Sequence, residues 1–125
     1  MSSPGTSRPA RSDPSDVARD AGLEDLIRTD LARDSGLTEK SMFGGWAWLL
    51  NGNLLCGARE DGMLARLGKG RDGWALALDD VGAMISRGKP MRGWVRAGPK
   101  AYGDDALRRR ILSAALEFVR TLPSK

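Results

Sequence analysis

A short stripe of basic and aromatic side chains near the C-terminus is the strongest chemical feature of the sequence. In an extended strand Arg92, Trp94 and Arg96 share one face, because alternate residues point the same way. Guanidinium groups bind phosphates and an indole ring stacks on a base, so this stripe, together with Lys89, predicts a contact with nucleic acid or a protein partner. The same pattern also fits a tryptophan packed inside the fold, between arginines or against a C-terminal helix.

A glycine-rich segment offers a second kind of chemistry. Residues Gly68 to Gly73 read Gly-Lys-Gly-Arg-Asp-Gly, a literal G-x-G-x-x-G between a predicted strand and a predicted helix. The strands before it are expected to form hairpins rather than a βαβ unit, and no acidic residue follows at the usual distance. A small phosphate- or nucleotide-binding domain using this loop is the alternative hypothesis. A glycine-rich connector is the simpler interpretation.

Basic charge is concentrated at the end of the chain. The formal net charge is +4, and residues 86–125 carry +7 while residues 1–85 carry −3. This asymmetry is typical of proteins that contact polyanions, and a solvated arginine-rich surface produces it as well. Arg108, Arg109 and Arg110 take consecutive positions of a predicted helix, so at most two of them would join one basic surface.

Catalytic chemistry has little support in the composition. The chain has no histidine, which removes His-based triads and His metal ligands. The single cysteine, Cys56, excludes an internal disulfide and a multi-cysteine metal site, and its mid-strand position indicates burial. The acidic pairs at 79–80 and 104–105 are explained by helix ends. We therefore expect a protein that is not an enzyme and uses no metal and no cofactor.

The N-terminal segment differs in composition from the rest. Residues 1–18 are rich in Ser, Pro and Arg, which predicts a disordered tail before a single domain over residues 19–125. The tail lacks the apolar segment of a secretory signal, and no apolar run reaches the roughly 20 residues of a membrane-spanning helix. A cytoplasmic location is the default expectation.

The elements that would position these residues form an α+β domain with a mainly antiparallel sheet, flanked by an N-terminal and a C-terminal helix. Helical spacing predicts a first helix over residues 20–34 with Asp20 as its N-cap. A short helix is expected over residues 73–78 and a loop over 98–103. Asp104 or Asp105 caps the last helix, which Pro123 ends.

Strands fill the segment between these helices, over residues 38–50, 53–59, 63–67, 81–86 and 91–97. Asn51-Gly52 is the dipeptide preferred in two-residue hairpin turns. Such a turn predicts the pairs Leu50 with Asn53, Trp48 with Leu55 and Trp46 with Gly57. Because the hairpin is apolar on both faces, helices are expected to cover one face and a loop or a partner the other. A homodimer contact through the two tryptophans is one such arrangement.

The sequence resembles the TfoX/Sxy N-terminal-domain family over roughly residues 20–125. The resemblance rests on Met42-Phe43-Gly44-Gly45 after the first helix, on the Asn51-Gly52 turn, on the Asp61-Gly62 turn, and on Gly88-Lys89-Pro90-Met91-Arg92-Gly93-Trp94-Val95. It implies a non-enzymatic regulatory module with DNA or a transcription protein as partner, since the namesake members are co-activators of competence for DNA uptake. Those members carry a second, helical domain, and a chain that stops at Lys125 is expected to be a small stand-alone member.

The resemblance implies structural roles for its signature residues. Met42 and Phe43 would pack under the helices, while Gly44 and Gly45 would let a strand bend or another backbone approach closely. Pro90 would set the edge of the last strand. Gly88 and Met91 complete the signature.

Overall fold

The computed structural model describes residues 19–42 and 44–125. The predicted tail over residues 1–18 and the signature residue Phe43 lie outside the described residues. The described part forms a six-stranded antiparallel sheet flanked by an N-terminal and a C-terminal helix, so the predicted α+β class is confirmed.

The elements follow one another in a simple order. Helix α1 spans Ala21–Asp30, and strands β1 to β4 span Leu37–Met42, Gly45–Leu50, Asn53–Arg59 and Gly62–Arg66. Helix α2 is a single turn over Gly73–Leu76, strands β5 and β6 span Val81–Ser86 and Lys89–Ala97, and helices α3 and α4 span Pro99–Tyr102 and Asp105–Val119. The sheet order is β1-β2-β3-β4-β6-β5. Among the residues that the structure describes, none of the helices combines the length and apolar composition that a bilayer crossing requires.

Both predicted N-caps are confirmed. The Asp20 carboxylate accepts a hydrogen bond from the Leu23 N–H at 3.0 Å, and the Asp104 carboxylate accepts one from the Leu107 N–H at 3.1 Å. These bonds satisfy amide groups that have no partner within the first helical turn. Helix α1 ends at Asp30 rather than at residue 34, and the loop predicted over residues 98–103 contains α3.

The Asn51-Gly52 turn forms as predicted, with φ angles of 52° and 86°. The register beyond it differs from the prediction, because the pairing of β2 with β3 shifts by one residue at Leu49. The observed pairs are Leu50 with Asn53, Trp48 with Cys56 and Trp46 with Ala58. The shift is a β-bulge, and it lets the neighbours Leu55 and Cys56 both enter the main core.

The predicted strand over residues 38–50 is two strands, β1 and β2, joined by a tight turn at Gly44, where φ is +73°. A side chain at Gly45 would collide with the Ala58 carbonyl of β3, so the predicted close approach of backbones is confirmed. Met42 pairs with Gly45 and therefore points away from the face on which Trp46 meets the core. The expectation that Met42 packs under the helices is wrong.

The helices cover one face of the sheet. Leu23 and Ile27 of α1 and Ile111 and Leu112 of α4 are buried against apolar strand residues, including Trp48. On the opposite face a smaller cluster joins Leu64, Met84 and Trp94, with Leu54 packed beside it, and no helical residue belongs to it. Among the described residues the helices form a layer on one face of the sheet, and the cluster on the other face consists of strand side chains.

Candidate functional site

The consecutive arginines of α4 all have partners within the fold. Arg108 is 2% exposed, and its Nε donates to Asp30 at 2.6 Å while its Nη1 donates to Asp105 at 2.8 Å and to the Tyr102 carbonyl at 3.0 Å. The hydrogen bond to Asp30 is the main cause that raises the pKa of Arg108. Arg109 also donates to Asp30, at 3.3 Å.

Further arginines nearby have internal partners too. The guanidinium of Arg110 lies 4.3 Å from the ring centroid of Trp74, and Arg120 donates to Asp34 at 2.5 Å. The prediction that at most two of the three consecutive arginines join a basic surface agrees with the burial of Arg108 and the exposure of Arg109 and Arg110, although both exposed side chains also have internal partners. Other basic side chains of residues 86–125 are exposed on β6 and on the turn before it, namely Arg87, Lys89 and Arg92.

A groove of about 680 Å³ lies beside the irregular part of β6, around Gly93, where the loop after β4 packs against α4. We call it the β6 groove, and its lining is Arg66, Gly68, Lys69, Pro90, Met91, Arg92, Gly93, Trp94 and Phe118. Two of the predicted contact residues, Arg92 and Trp94, meet here with the first two residues of the glycine-rich segment. None of the described residues that line the groove is acidic.

Two glycines create this junction. Gly93 has a φ of +83°, and a Cβ there would lie 2.7 Å from the Gly68 carbonyl carbon and from the Lys69 nitrogen. Its carbonyl accepts hydrogen bonds from the N–H groups of Leu67, at 2.7 Å, and Gly68, at 3.1 Å. A Cβ on Gly68 would lie 2.6 Å from the Phe118 ring. The loop is thus clamped between β6 and α4, which brings Lys69 beside Arg92.

The three cations of the groove differ in how they are held. Arg66 donates to the Leu54 carbonyl at 3.3 Å, and its guanidinium lies 5.8 Å from the ring centroid of Phe118. The side chains of Lys69 and Arg92 are exposed and make no hydrogen bond or ion pair with any residue that the structure describes. Arg66 is therefore pre-positioned, while the other two remain available for an external anion.

Trp94 is 8% exposed and packs with Leu64 and Met84. Trp94 therefore packs inside the fold, which is the alternative to a partner contact that the sequence pattern also fits. Its partners are strand residues rather than the C-terminal helix. Its ring forms a wall of the groove rather than a free stacking platform.

The other two predicted contact residues lie outside the β6 groove. Arg96 donates from Nη1 to the Asp61 carbonyl at 2.7 Å, and Lys89 pairs with Ser86 at the turn between β5 and β6. Pro90 pairs with Ile85 in the part of β6 that has no β4 neighbour, which fits its predicted edge position.

The glycine-rich segment does not have the setting of a dinucleotide loop. The strand before it, β4, pairs antiparallel with β3 and β6, and the helix after it is one turn long. Its contribution to the groove comes from Gly68 and Lys69 alone.

The cysteine and the hairpin tryptophans belong to the interior. Cys56 is completely buried, as predicted, and burial raises the pKa of its thiol. Trp48 is 2% exposed, and Trp46 packs against the main core with its ring 4.3 Å from the Arg19 guanidinium carbon. The hairpin therefore turns its tryptophans toward the helices, which does not favour the dimer contact expected through them.

Sequence reasoning missed Arg66 and Phe118. Arg66 stands at the end of a strand without a motif, and its neighbours become known only with the register between β4 and β6. Phe118 fits the apolar stripe of the last helix and gives no separate signal. Comparison with known proteins gave no match to any family model, curated protein or solved structure.

Proposed function

We propose that this protein is a non-enzymatic regulatory module that binds the phosphates of nucleic acid through the β6 groove. Arg66, Lys69 and Arg92 approach one concave surface that none of the described acidic residues lines. That observation carries the proposal, because hydrogen bonds between guanidinium or ammonium groups and phosphate are among the strongest polar contacts in water.

The arrangement of the three cations favours backbone contacts over base recognition. Of the two aromatic residues that line the groove, Trp94 is nearly buried and Phe118 has the Arg66 guanidinium 5.8 Å from its ring centroid, so the groove offers little free aromatic surface to a base. Contacts to phosphate position a protein on nucleic acid without reading its sequence. We therefore expect salt-dependent binding with weak sequence preference.

The regulatory part of the proposal rests on the resemblance to the TfoX/Sxy N-terminal-domain family. Gly88-Lys89-Pro90-Met91-Arg92-Gly93-Trp94-Val95, the second block of that resemblance, contributes five residues of the groove lining. A role in transcription or in competence-type regulation follows from this resemblance, with DNA as the partner.

A phosphate-bearing small molecule is the second candidate. Its support is that Gly68 and Lys69 line the same groove, whose volume of about 680 Å³ suits a mononucleotide. A thermal-shift screen with nucleotides tests it, since a ligand at 100 times its dissociation constant stabilises a protein by about 2.7 kcal/mol. No shift with any nucleotide would end this candidate.

Fluorescence anisotropy of a labelled DNA duplex and of a labelled single strand, titrated at several salt concentrations, tests the main proposal. Three phosphate contacts predict a log–log salt slope of about −3, since each contributes roughly 0.9. Lys69→Ala with Arg92→Ala should weaken binding about 10- to 100-fold and reduce the slope to about −1.

The matched control removes two other cations. Lys100→Ala with Arg109→Ala changes the net charge equally at exposed positions outside the groove. An equal loss of affinity in both double variants would contradict the site assignment. The absence of binding at low salt would contradict the function.

A further inference from the structure

The two edge strands of the sheet differ in charge. Edge strand β1 carries Glu39 and Lys40, and charged side chains on an edge discourage pairing with another chain. Edge strand β5, Val-Gly-Ala-Met-Ile-Ser, has no charged residue and no proline. Its Ile85 is 51% exposed, the largest exposed fraction among the large apolar side chains that the structure describes.

Opposite charges stand at the two ends of β5. Asp79 lies before the strand with 89% of its side chain exposed, and its nearest cation is the Lys100 ammonium at 4.0 Å. Arg87 follows the strand, and its exposed side chain makes no hydrogen bond or ion pair within the described part of the chain. An acidic start and a basic end make the strand complementary to a reversed copy of itself.

We propose that β5 pairs antiparallel with β5 of a second copy of this chain, with Ala83 at the two-fold axis. In this register Val81 faces Ile85 of the other copy, a pair of β-branched side chains that suits neighbouring strands. Asp79 and Arg87 lie in the turns that flank β5, and the antiparallel arrangement brings the acidic end of each copy near the basic end of the other, twice by symmetry. A parallel arrangement would place like charges together at both ends.

The pairing joins two sheets into one. The two copies of β6 would lie three strand spacings apart, about 14 Å at roughly 4.8 Å per spacing. Two grooves would then stand on one continuous surface, although the pairing itself does not depend on nucleic-acid binding. One pair of six-residue strands is a small interface, so we expect a dissociation constant in the micromolar range.

Analytical ultracentrifugation without nucleic acid tests the proposal over about 5 to 500 μM chain, a range that brackets micromolar affinity. The wild-type chain should shift from monomer to dimer. Ile85→Lys should raise the dissociation constant at least about tenfold, because a lysine on the edge disfavours pairing. Thr38→Lys, an exposed position on the other edge strand, is the matched control and should leave the equilibrium unchanged.

A charge exchange tests the antiparallel orientation. Asp79→Arg alone and Arg87→Asp alone should each raise the dissociation constant about threefold, as expected for exposed ion pairs. Combining the two substitutions should restore the wild-type value. A wild-type chain that stays monomeric at about 500 μM, or a dimer that Thr38→Lys disrupts while Ile85→Lys does not, would overturn the proposal.

Discussion

Two groups of three basic residues differ in whether carboxylates lie beside them. Arg108, Arg109 and Arg110 are adjacent in sequence, and all three have carboxylate or aromatic partners within the fold. Arg66, Lys69 and Arg92 are scattered in sequence and converge on the β6 groove, whose described lining contains no acidic residue. The difference lies in the neighbours, since Asp30 at the end of α1 meets only the first group.

The comparison shows that a run of basic residues in the sequence does not by itself produce a basic surface that is accessible to a ligand. A run of arginines on one helix turns in several directions, and buried members need partners because an unpaired buried charge is strongly unfavourable. Cations at a strand end and in a loop face solvent beside one another when the backbone brings them together. The basic C-terminal segment is thus partly structural and partly available.

The largest effect is expected on the structural side. Arg108→Ala leaves the Asp30 carboxylate, whose side chain is 5% exposed, without its main partner. We expect the free energy of unfolding to fall by about 3–5 kcal/mol, measured by urea denaturation. Arg109→Ala, at a position 63% exposed, should cost about 1 kcal/mol or less. Similar losses in both variants would remove the distinction between buried and exposed arginines.

The architecture of the groove predicts the next largest effect. Gly93→Ala combines a positive φ with a Cβ 2.7 Å from backbone atoms of Gly68 and Lys69. We expect a destabilisation of about 2–4 kcal/mol, measured by thermal and urea unfolding. Gly88→Ala has a similar φ of +80° and no atom within 4 Å, so it should cost about 1 kcal/mol. Equal losses of unfolding free energy in the two variants would mean that the loop after β4 can move away from β6 to make room for a Cβ at Gly93.

Single substitutions in the groove should change binding and leave stability intact. Arg92→Ala should lower DNA affinity about tenfold and reduce the salt slope by about one, whereas Lys100→Ala should leave the slope unchanged. The unfolding free energy of Arg92→Ala should remain within about 0.5 kcal/mol of the wild-type value, because Arg92 is exposed. A stability loss comparable to that of Arg108→Ala would place Arg92 in the structural group.

An exposed ion pair gives the smallest effect. Arg28 donates to both Glu39 oxygens, at 3.0 and 2.8 Å, and this hydrogen bonding is the main cause that lowers the pKa of Glu39 to about 2. The lowered pKa adds stability above about pH 4.5 that is lost as the pH falls toward 2. Because both side chains are partly solvated, we expect about 1 kcal/mol or less.

Acid titration of unfolding free energy checks this last prediction. Glu39→Gln should flatten the profile between about pH 4.5 and 2, since the unfolded chain would no longer take up a proton there that the folded chain refuses. An unchanged profile would show that Arg28 does not hold Glu39 in solution.

The sequence predicts local features well and long-range register less well. The Asp20 and Asp104 caps and the Asn51-Gly52 turn depend on neighbouring residues, and all three are confirmed. The sequence does not predict the bulge in β3, because strict strand alternation would place only one of the neighbours Leu55 and Cys56 in the main core. In the structure both residues are buried in that core.

The candidate site shows the same division. Arg92 and Trp94 were found from their spacing in one strand, whereas Arg66 joins them only through the pairing of β4 with β6. Lys69 lines the groove because Gly93 lets β6 and the loop after β4 approach closely, and no local sequence pattern predicts that contact. The buried ion pair of Arg108 likewise depends on a distant element, because its partner Asp30 lies at the end of α1.

The most direct test of the distinction between the two basic groups is a backbone amide NMR titration of the full chain with a short DNA duplex. Chemical-shift changes should concentrate at the amides of residues 66–70 and 91–94, while the amide signals of Arg108, Arg109 and Arg110 keep their chemical shifts. Changes centred on α4, or spread evenly over all exposed cations, would contradict the assignment of the available charge to the β6 groove.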